Sequence, residues 1–290
     1  MRRAVVTGGT RGIGVHVASR LREHGLAVTV IGRDAAHGAD AVREIGGDTR
    51  FLQADLSSLR EAERVGERIA AEGPLHVLVN NAGGMWPARR ETVDGFEASF
   101  ALNHLSPVVL TATLLDALRA GAPSRIVDVT SSSITTAVLD GLPSYDAVEQ
   151  DGEHHGMAVA GRAKLAHLAH NQDLARELAA DGVTVLAADP LGPAAAATPN
   201  AAEMTPEILP PALRHLWEQI QDGLRPASEV VDPIVAAAVD PAFDGRAGLV
   251  LGPDGVPSQD LLRFVTPEVS ASAGALTRRV LAGRTDPARA

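Results

Sequence analysis

Ala4-Val5-Val6-Thr7-Gly8-Gly9-Thr10-Arg11-Gly12-Ile13-Gly14 begins as an apolar run, breaks into glycines, and continues as an amphipathic stretch from Gly12 to His24. The apolar run reads as a buried strand, the later stretch as a helix, and the glycines as the tight turn between them. Gly8, Gly12 and Gly14 allow a ligand close to the backbone, and the free N–H groups at a helix start, with their partial positive charge, suit a pyrophosphate. A turn that serves packing alone is the competing reading. The strand–turn–helix context favours phosphate binding over it.

Outward from this turn the same alternation repeats. Runs rich in Val, Ile and Leu at Ala4–Thr7, Ala27–Ile31, Thr49–Leu52, Val77–Asn80, Arg125–Thr130, Val183–Ala187 and Gly248–Gly252 read as strands. Gly12–His24, Ala36–Ile45, Ser58–Ala71, Gly95–Leu118 and Val159–Ala180 read as helices between them. Such alternation predicts an α/β fold, a parallel sheet covered by helices on both faces. With 290 residues and 45% hydrophobic content, one domain spanning 1–290 is expected. Two stretches interrupt the pattern beyond strand ends, where such folds place ligand loops. Residues 132–157 form an acidic, polar loop ending in Glu153-His154-His155-Gly156. Residues 191–224 read as a substrate lid, with a helix expected around Pro206–Ile220 that carries Trp217. The tail after Arg278 is polar and expected to fray.

A formal charge of −10 and a pI near 5.4 disfavour nucleic acid as a partner, and no basic stripe interleaved with aromatics is present. No uninterrupted apolar run approaches the roughly 18–20 residues that span a bilayer, so no membrane partner is expected. With no cysteine and no apolar leader before the first strand, the cytoplasm is the expected location. The end of the second strand reads Val30-Ile31-Gly32-Arg33-Asp34. A carboxylate at position 32 would hold ribose hydroxyls, whereas Arg33 can pair with a 2′-phosphate, so NADP(H) is expected over NAD.

Further motifs follow in order: Asp55-Leu56, Asn80-Asn81-Ala82-Gly83, Asn103 in Ala101-Leu102-Asn103-His104, Arg125 through Ser131, and Lys164. As a set, with the turn written T-G-x-x-x-G-x-G, the sequence from Arg3 to Gly252 resembles the short-chain dehydrogenase/reductase family. The resemblance implies a Rossmann-type doubly wound parallel sheet of seven strands in a three-layer αβα arrangement. It implies a cofactor site at Thr7, Gly8, Thr10, Arg11, Gly12, Ile13, Gly14, Arg33, Asp55, Leu56, Asn81, Ala82, Gly83, Lys164 and Pro190. It makes Ser131 the residue that binds the reacting oxygen, Asn103 the holder of a relay water, and Lys164 the ribose-binding lysine. A homodimer or homotetramer paired through the helices Gly95–Leu118 and Val159–Ala180 is also implied.

One residue of the pattern is absent. The family places a tyrosine four residues before the lysine, and here that position is Ala160. Lys164 is the only lysine of the chain and falls on the motif position, which supports the register. Leu191, in Asp189-Pro190-Leu191-Gly192, stands where the family's Pro-Gly turn has glycine. Tyr145, the sole tyrosine, reads first as an aromatic anchor and second as a substitute acid. His155, beside His154, is the other candidate donor, because imidazole titrates near neutrality. Asp151, Glu153 and the two histidines lack metal-ligand spacing, so no metal is expected. The expected function is an NADP-dependent oxidoreductase acting on a small, apolar carbonyl or conjugated metabolite, with a non-standard proton donor. A non-redox enzyme on the same scaffold and a cofactor-binding protein without catalysis are the alternatives.

Overall fold

The computed structural model describes residues 1–149, 152–192, 195–198, 201 and 204–283. The strands are β1 (Arg3–Thr7), β2 (Ala27–Gly32), β3 (Arg50–Gln53), β4 (Val77–Asn80), β5 (Ser124–Val129), β6 (Val183–Ala188), β7 (Ala195–Ala197), β8 (Leu224–Pro226) and β9 (Val250–Leu251). The helices are α1 (Gly12–Glu23), α2 (Ala35–Ile45), α3 (Leu59–Ala70), α4 (Ala98–Phe100), α5 (Ser106–Ala120), α6 (Ser133–Ala137), α7 (Gly156–Glu177), α8 (Trp217–Asp222), α9 (Asp232–Val239) and α10 (Pro267–Ala282).

Seven strands pair in the order β3-β2-β1-β4-β5-β6-β9, all parallel. The chain thus has the expected Rossmann-type sheet, whose order reverses between β1 and β4. Buried β-branched residues explain the central position of β1, β4, β5 and β6, which are covered on both faces. On one face Val15, Val17 and Leu21 of α1 and Ile234 and Val235 of α9 pack against Val6, Val28 and Val127. On the other, Val65 and Ile69 of α3, Leu110 and Leu114 of α5 and Leu174 of α7 pack against Val5, Leu78 and Ile126. Arg125 points to the first face and donates to the carbonyls of Ala237 and Asp240, which satisfies the C-terminal end of α9.

The strands begin and end within a residue or two of their predicted bounds, but three segments differ. The expected helix over Gly95–Leu118 is interrupted: α4 ends at Phe100 and Ala101–Leu105 is π-helical before α5 resumes. Asn103 lies in that bulge, and its amide donates to Ser99 O at 2.8 Å and Gly84 O at 2.7 Å. The helix expected over Pro206–Ile220 is broken by its prolines into tight turns at Pro206–Ile208 and Pro211–Leu216, and only α8 is α-helical. β7 and β8 pair in a separate two-stranded sheet across this insertion. Residues 193, 194, 199, 200, 202 and 203 of the lid expected at 191–224 lie outside the described residues, as does Asp151.

The C-terminal region supplies α10, which runs past Arg278 to Ala282; residues 284–290 lie outside the described residues. Its Val269, Ala273 and Leu276 join Leu165, Leu168 and Ala169 of α7 in one buried cluster. On that side α7 is covered by the chain's own C-terminal helix. The helical span Ala98–Ala120 is long and apolar enough by composition to cross a bilayer, yet 78% of its most apolar window is buried in the fold, as in a core helix. The expected cytoplasmic location draws no support from it either way.

Candidate active site

The glycine turn after β1 is tied to the loop after β4. Thr7 Oγ1 accepts from the N–H groups of Asn81 and Ala82, both at 2.9 Å, and Asn81 Nδ2 donates to Thr7 O at 2.8 Å. A Cβ on Gly14 would overlap the Gly8 carbonyl and stand 2.6 Å from Asn81 Nδ2, so the first turn of α1 approaches the strand end as only glycine allows. Gly8 and Gly12 take positive φ, at 62° and 57°. Arg11 precedes α1 without capping it by its side chain, leaving the N–H groups of Gly12, Ile13 and Gly14 at the helix start to a ligand. A phosphate group fits this cradle.

At the end of β2 the residue before Arg33 has no room for a side chain. A Cβ on Gly32 would meet Thr10 Cγ2 at 2.7 Å and Oγ1 at 2.8 Å, so Thr10 fills the space a carboxylate would need. Arg33 and Arg11 are both exposed at this rim. The Asp34 carboxylate is used as the cap of α2, accepting from His37 N at 2.8 Å, and its pKa is lowered by that bond and by Arg11 nearby. Asp55 is likewise engaged, its carboxylate accepting from Ser57 N and Oγ and its N–H donating to Glu61, while Leu56 is buried.

The second half of the site gathers at the ends of β4, β5 and β6. Lys164, half-buried on α7, donates to Val129 O at 2.7 Å. A Cβ placed on Gly83 would lie 3.5 Å from Lys164 Nζ and 2.6 Å from Asn103 Oδ1, so Gly83 separates the two side chains. Ser131 Oγ, half-buried two residues beyond Val129, accepts from Ser133 N at 3.1 Å. Pro190 is buried, and before it the buried Asp189 accepts from Leu191 N and Gly192 N. Gly192 has positive φ and accepts from Ser132 Oγ, which joins the β5 and β6 loops. Burial pulls the Lys164 ammonium down to about 8, against the opposing pull of Asp128 and Asp189. Burial also raises Asp189, against its two backbone bonds and Lys164.

Ala160 stands one helical turn before Lys164 and is 2% exposed. One turn earlier on the same stripe, a Cβ on Gly156 would overlap the Trp86 carbonyl and meet Ile208 at 3.0 Å, so both the β4 loop and the insertion close on the start of α7. His154 bonds the same carbonyl at 3.1 Å, and His155 lies 3.5 Å from Glu153. Among the described residues neither ring is hydrogen-bonded to Ser131, Asn103 or Lys164, and the buried Nδ1 of His155 has no partner.

Tyr145 is placed elsewhere. It is 2% exposed, donates to Arg162 O at 2.9 Å, and its hydroxyl pKa is pushed well up by burial. The substitute-acid reading of Tyr145 is corrected by this: the ring anchors the loop. Tyr145→Phe is expected to cost about 1 kcal/mol, the net worth of one hydrogen bond, read as a lower denaturant midpoint. NADPH affinity and reduction rates should not change, and a tenfold loss of rate would return the hydroxyl to the chemistry.

Sequence reasoning missed what holds this loop. Arg162, 4% exposed, donates to the carbonyls of Ser144, Ala147 and Val148 and lies over the rings of Tyr145 and Phe100 at 4.7 and 5.2 Å. The available signal was a cation in an otherwise apolar helix stripe. A second unforeseen group is the buried set behind Lys164: Asp128, bonded by Asn80 and Asn171 and 3.2 Å from His167, with His104 and His170 packed against His167. Thr277 of α10 bonds His104 at 2.7 Å. Burial holds His104 and His170 neutral, His170 down to about 4, and the Asp128 carboxylate is held at about 2 by His167, Asn171 and Asn80 against its burial.

A family model described as short chain dehydrogenase matches residues 2–148, just over half the chain. The chain belongs to the short-chain dehydrogenase family. Retinol dehydrogenase 12 of Mus musculus is 36% identical over 192 residues, covering 64% of this chain and 60% of that protein. Polyprenol dehydrogenase of Danio rerio is 38% identical over 204 residues, with the same two shares. This short-chain dehydrogenase therefore spans about 60% of the length of these curated relatives. Among solved structures, the Pseudomonas aeruginosa RhlG/NADP active-site complex superimposes with a TM-score of 0.66 at 29% identity, over 88% of this chain and 95% of that one.

Proposed function

We propose that this short-chain dehydrogenase is an NADP(H)-dependent reductase of small apolar carbonyl compounds, conjugated ones included, working without the family's proton-donating tyrosine. The observation that carries the reading is the joint placement of Lys164, Asn103 and Ser131 around the strand ends, with Ala160 one turn before the lysine. The glycine turn, Thr10 in the space beside Gly32, and the exposed Arg11 and Arg33 suit a dinucleotide carrying a 2′-phosphate. Lys164 would bind the nicotinamide ribose, Pro190 would flank the ring, and Asn81, Ala82 and Gly83 would line its approach. Bound there, a reduced nicotinamide supplies a hydride. Ser131 would hold the carbonyl oxygen, and Trp86, Leu213, Leu216 and Trp217 offer apolar surface to the rest of the substrate. The names of the relatives, retinol and polyprenol dehydrogenases, support an apolar substrate.

The test is a fluorescence titration with NADPH and NADH on the chain and on Arg33→Asp, followed by assay with all-trans-retinal and decanal. A lost charge-assisted contact to the 2′-phosphate should weaken NADPH by about 10–100-fold and leave NADH nearly unchanged. Equal, unaltered affinities would refute the NADP assignment. Tight NADPH binding without reduction of either aldehyde would favour the non-redox reading, for which the absence of an acid at Ala160 is the supporting observation.

A further inference from the structure

We propose that the Lys164 ammonium is itself the proton donor to the reduced substrate. This rests on the reductase reading above and goes beyond it by naming the acid.

One stripe of α7 faces the site through its small residues. Residues four apart on a helix share a face, so Gly156, Ala160 and Lys164 form a row that runs from the mouth of the site to the end of β5. The first two carry no proton, which leaves Lys164 as the titratable group of the row. Nζ spends one donor on Val129 O and has two more to give, and a Cβ built on Gly83 would stand 3.5 Å from it, so the glycine keeps the approach to Nζ open. Asn103 stands on the far flank of Gly83, its side-chain oxygen accepting from the Gly84 N–H at 3.3 Å. Tyr145, the sole phenol of the chain, is committed to Arg162 O inside the core. His154 bonds Trp86 O and His155 lies 3.5 Å from Glu153, and among the described residues neither ring is hydrogen-bonded to Ser131, Asn103 or Lys164.

The charges around Nζ fit the role. Asp128 on β5 and Asp189 after β6 both act on the ammonium, and His167, one turn further along α7, lies 3.2 Å from Asp128. His104 and His170 stand behind His167 and are held neutral by burial. Two carboxylates keep the lysine charged at rest, while its burial makes the charged form a better acid than a lysine in water, at about 8. An acid in that range is matched to proton transfer near neutrality.

The balance is simple. The carbonyl carbon takes a hydride, with its two electrons, from the reduced nicotinamide, which is oxidised; the carbonyl π pair moves onto oxygen. The oxygen takes one proton from Nζ, giving the alcohol and a neutral amine. Water returns a proton to the amine.

Lys164 is the only lysine in the sequence, so protein grown on side-chain-labelled [15N]lysine gives a single ammonium or amine resonance. That resonance should titrate near 8, and a midpoint near the ordinary lysine value of about 10.4 overturns the proposal. Lys164→Arg keeps a cation and donors for Val129 O and the ribose but releases no proton in this range. The variant should bind NADPH within about threefold of the parent, and reduce all-trans-retinal about 100-fold or more slowly. The parent's rate should fall as pH rises through about 8, because the donor is lost on deprotonation, and that limb should vanish in the variant. A variant that binds NADPH and keeps the parent's rate overturns the assignment. Failure of the parent to reduce either aldehyde removes the reductase reading and the donor role with it, whereas an ordinary lysine midpoint in an active enzyme removes the donor role alone.

Discussion

Gly14→Ala abolishes useful nucleotide binding in the expected experiment, weakening NADPH by about 100-fold or more, the loss of at least two backbone contacts to phosphate at about 1.5 kcal/mol each. The added methyl would overlap the Gly8 carbonyl and press on Asn81 Nδ2. That amide holds Thr7 O and lies within 3.4 Å of Gly8 O, so the methyl displaces the joint between the glycine turn and the β4 loop, not a free side chain. Both outcomes are read by fluorescence titration, with circular dichroism to establish that the sheet remains. Binding within tenfold of the parent would mean that the turn is a packing device and that the dinucleotide is held elsewhere.

Arg162→Leu should cost about 3 kcal/mol or more and loosen the segment after α6. The residue is buried, and among the described residues its guanidinium donates to the carbonyls of Ser144, Ala147 and Val148 and to no carboxylate. Leucine restores apolar volume but leaves those oxygens without a donor, at about 1–3 kcal/mol for each that stays buried. It also removes the stacking on Tyr145 and Phe100. Denaturant unfolding measures the loss, and hydrogen exchange over residues 138–149 locates it. Stability within about 0.5 kcal/mol of the parent would show that the loop holds without this residue.

These two residues mark how far the sequence could be read. Gly14 was legible because its reason is local: a strand, a turn and a helix start within a few residues of one another. The same is true of the seven sheet strands, whose apolar runs fall within a residue or two of their predicted places. Arg162 was not legible, because its burial depends on three carbonyls 14 to 18 residues away that no periodicity announces. The interruption at Ala101–Leu105 was hidden for a similar reason: the apolar spacing continues through it, and only the commitments of Asn103 to Ser99 O and Gly84 O reveal the wider turn. By contrast α10 had a readable signal. Val269, Ala273 and Leu276 recur at helical spacing behind a Thr-Pro start, and Thr266 caps the helix through Val269 N.

Pairing of β7 with β8 brings the two ends of the insertion to adjacent strands, Ala195 opposite Leu224 and Ala197 opposite Pro226. Neighbouring strands lie about 4.8 Å apart, so what leaves the sheet after β6 returns to nearly the same point. The cost of closing such a loop grows only with the logarithm of its length, about 0.6 kcal/mol for each doubling. The residues between the two strands hang from that clasp, and Ile208, buried against the start of α7, is where they touch the body. An engineer who keeps the clasp and Ile208 can therefore exchange the rest of the stretch for that of a related protein and ask whether ligand preference travels with it, apart from the glycine turn and Lys164.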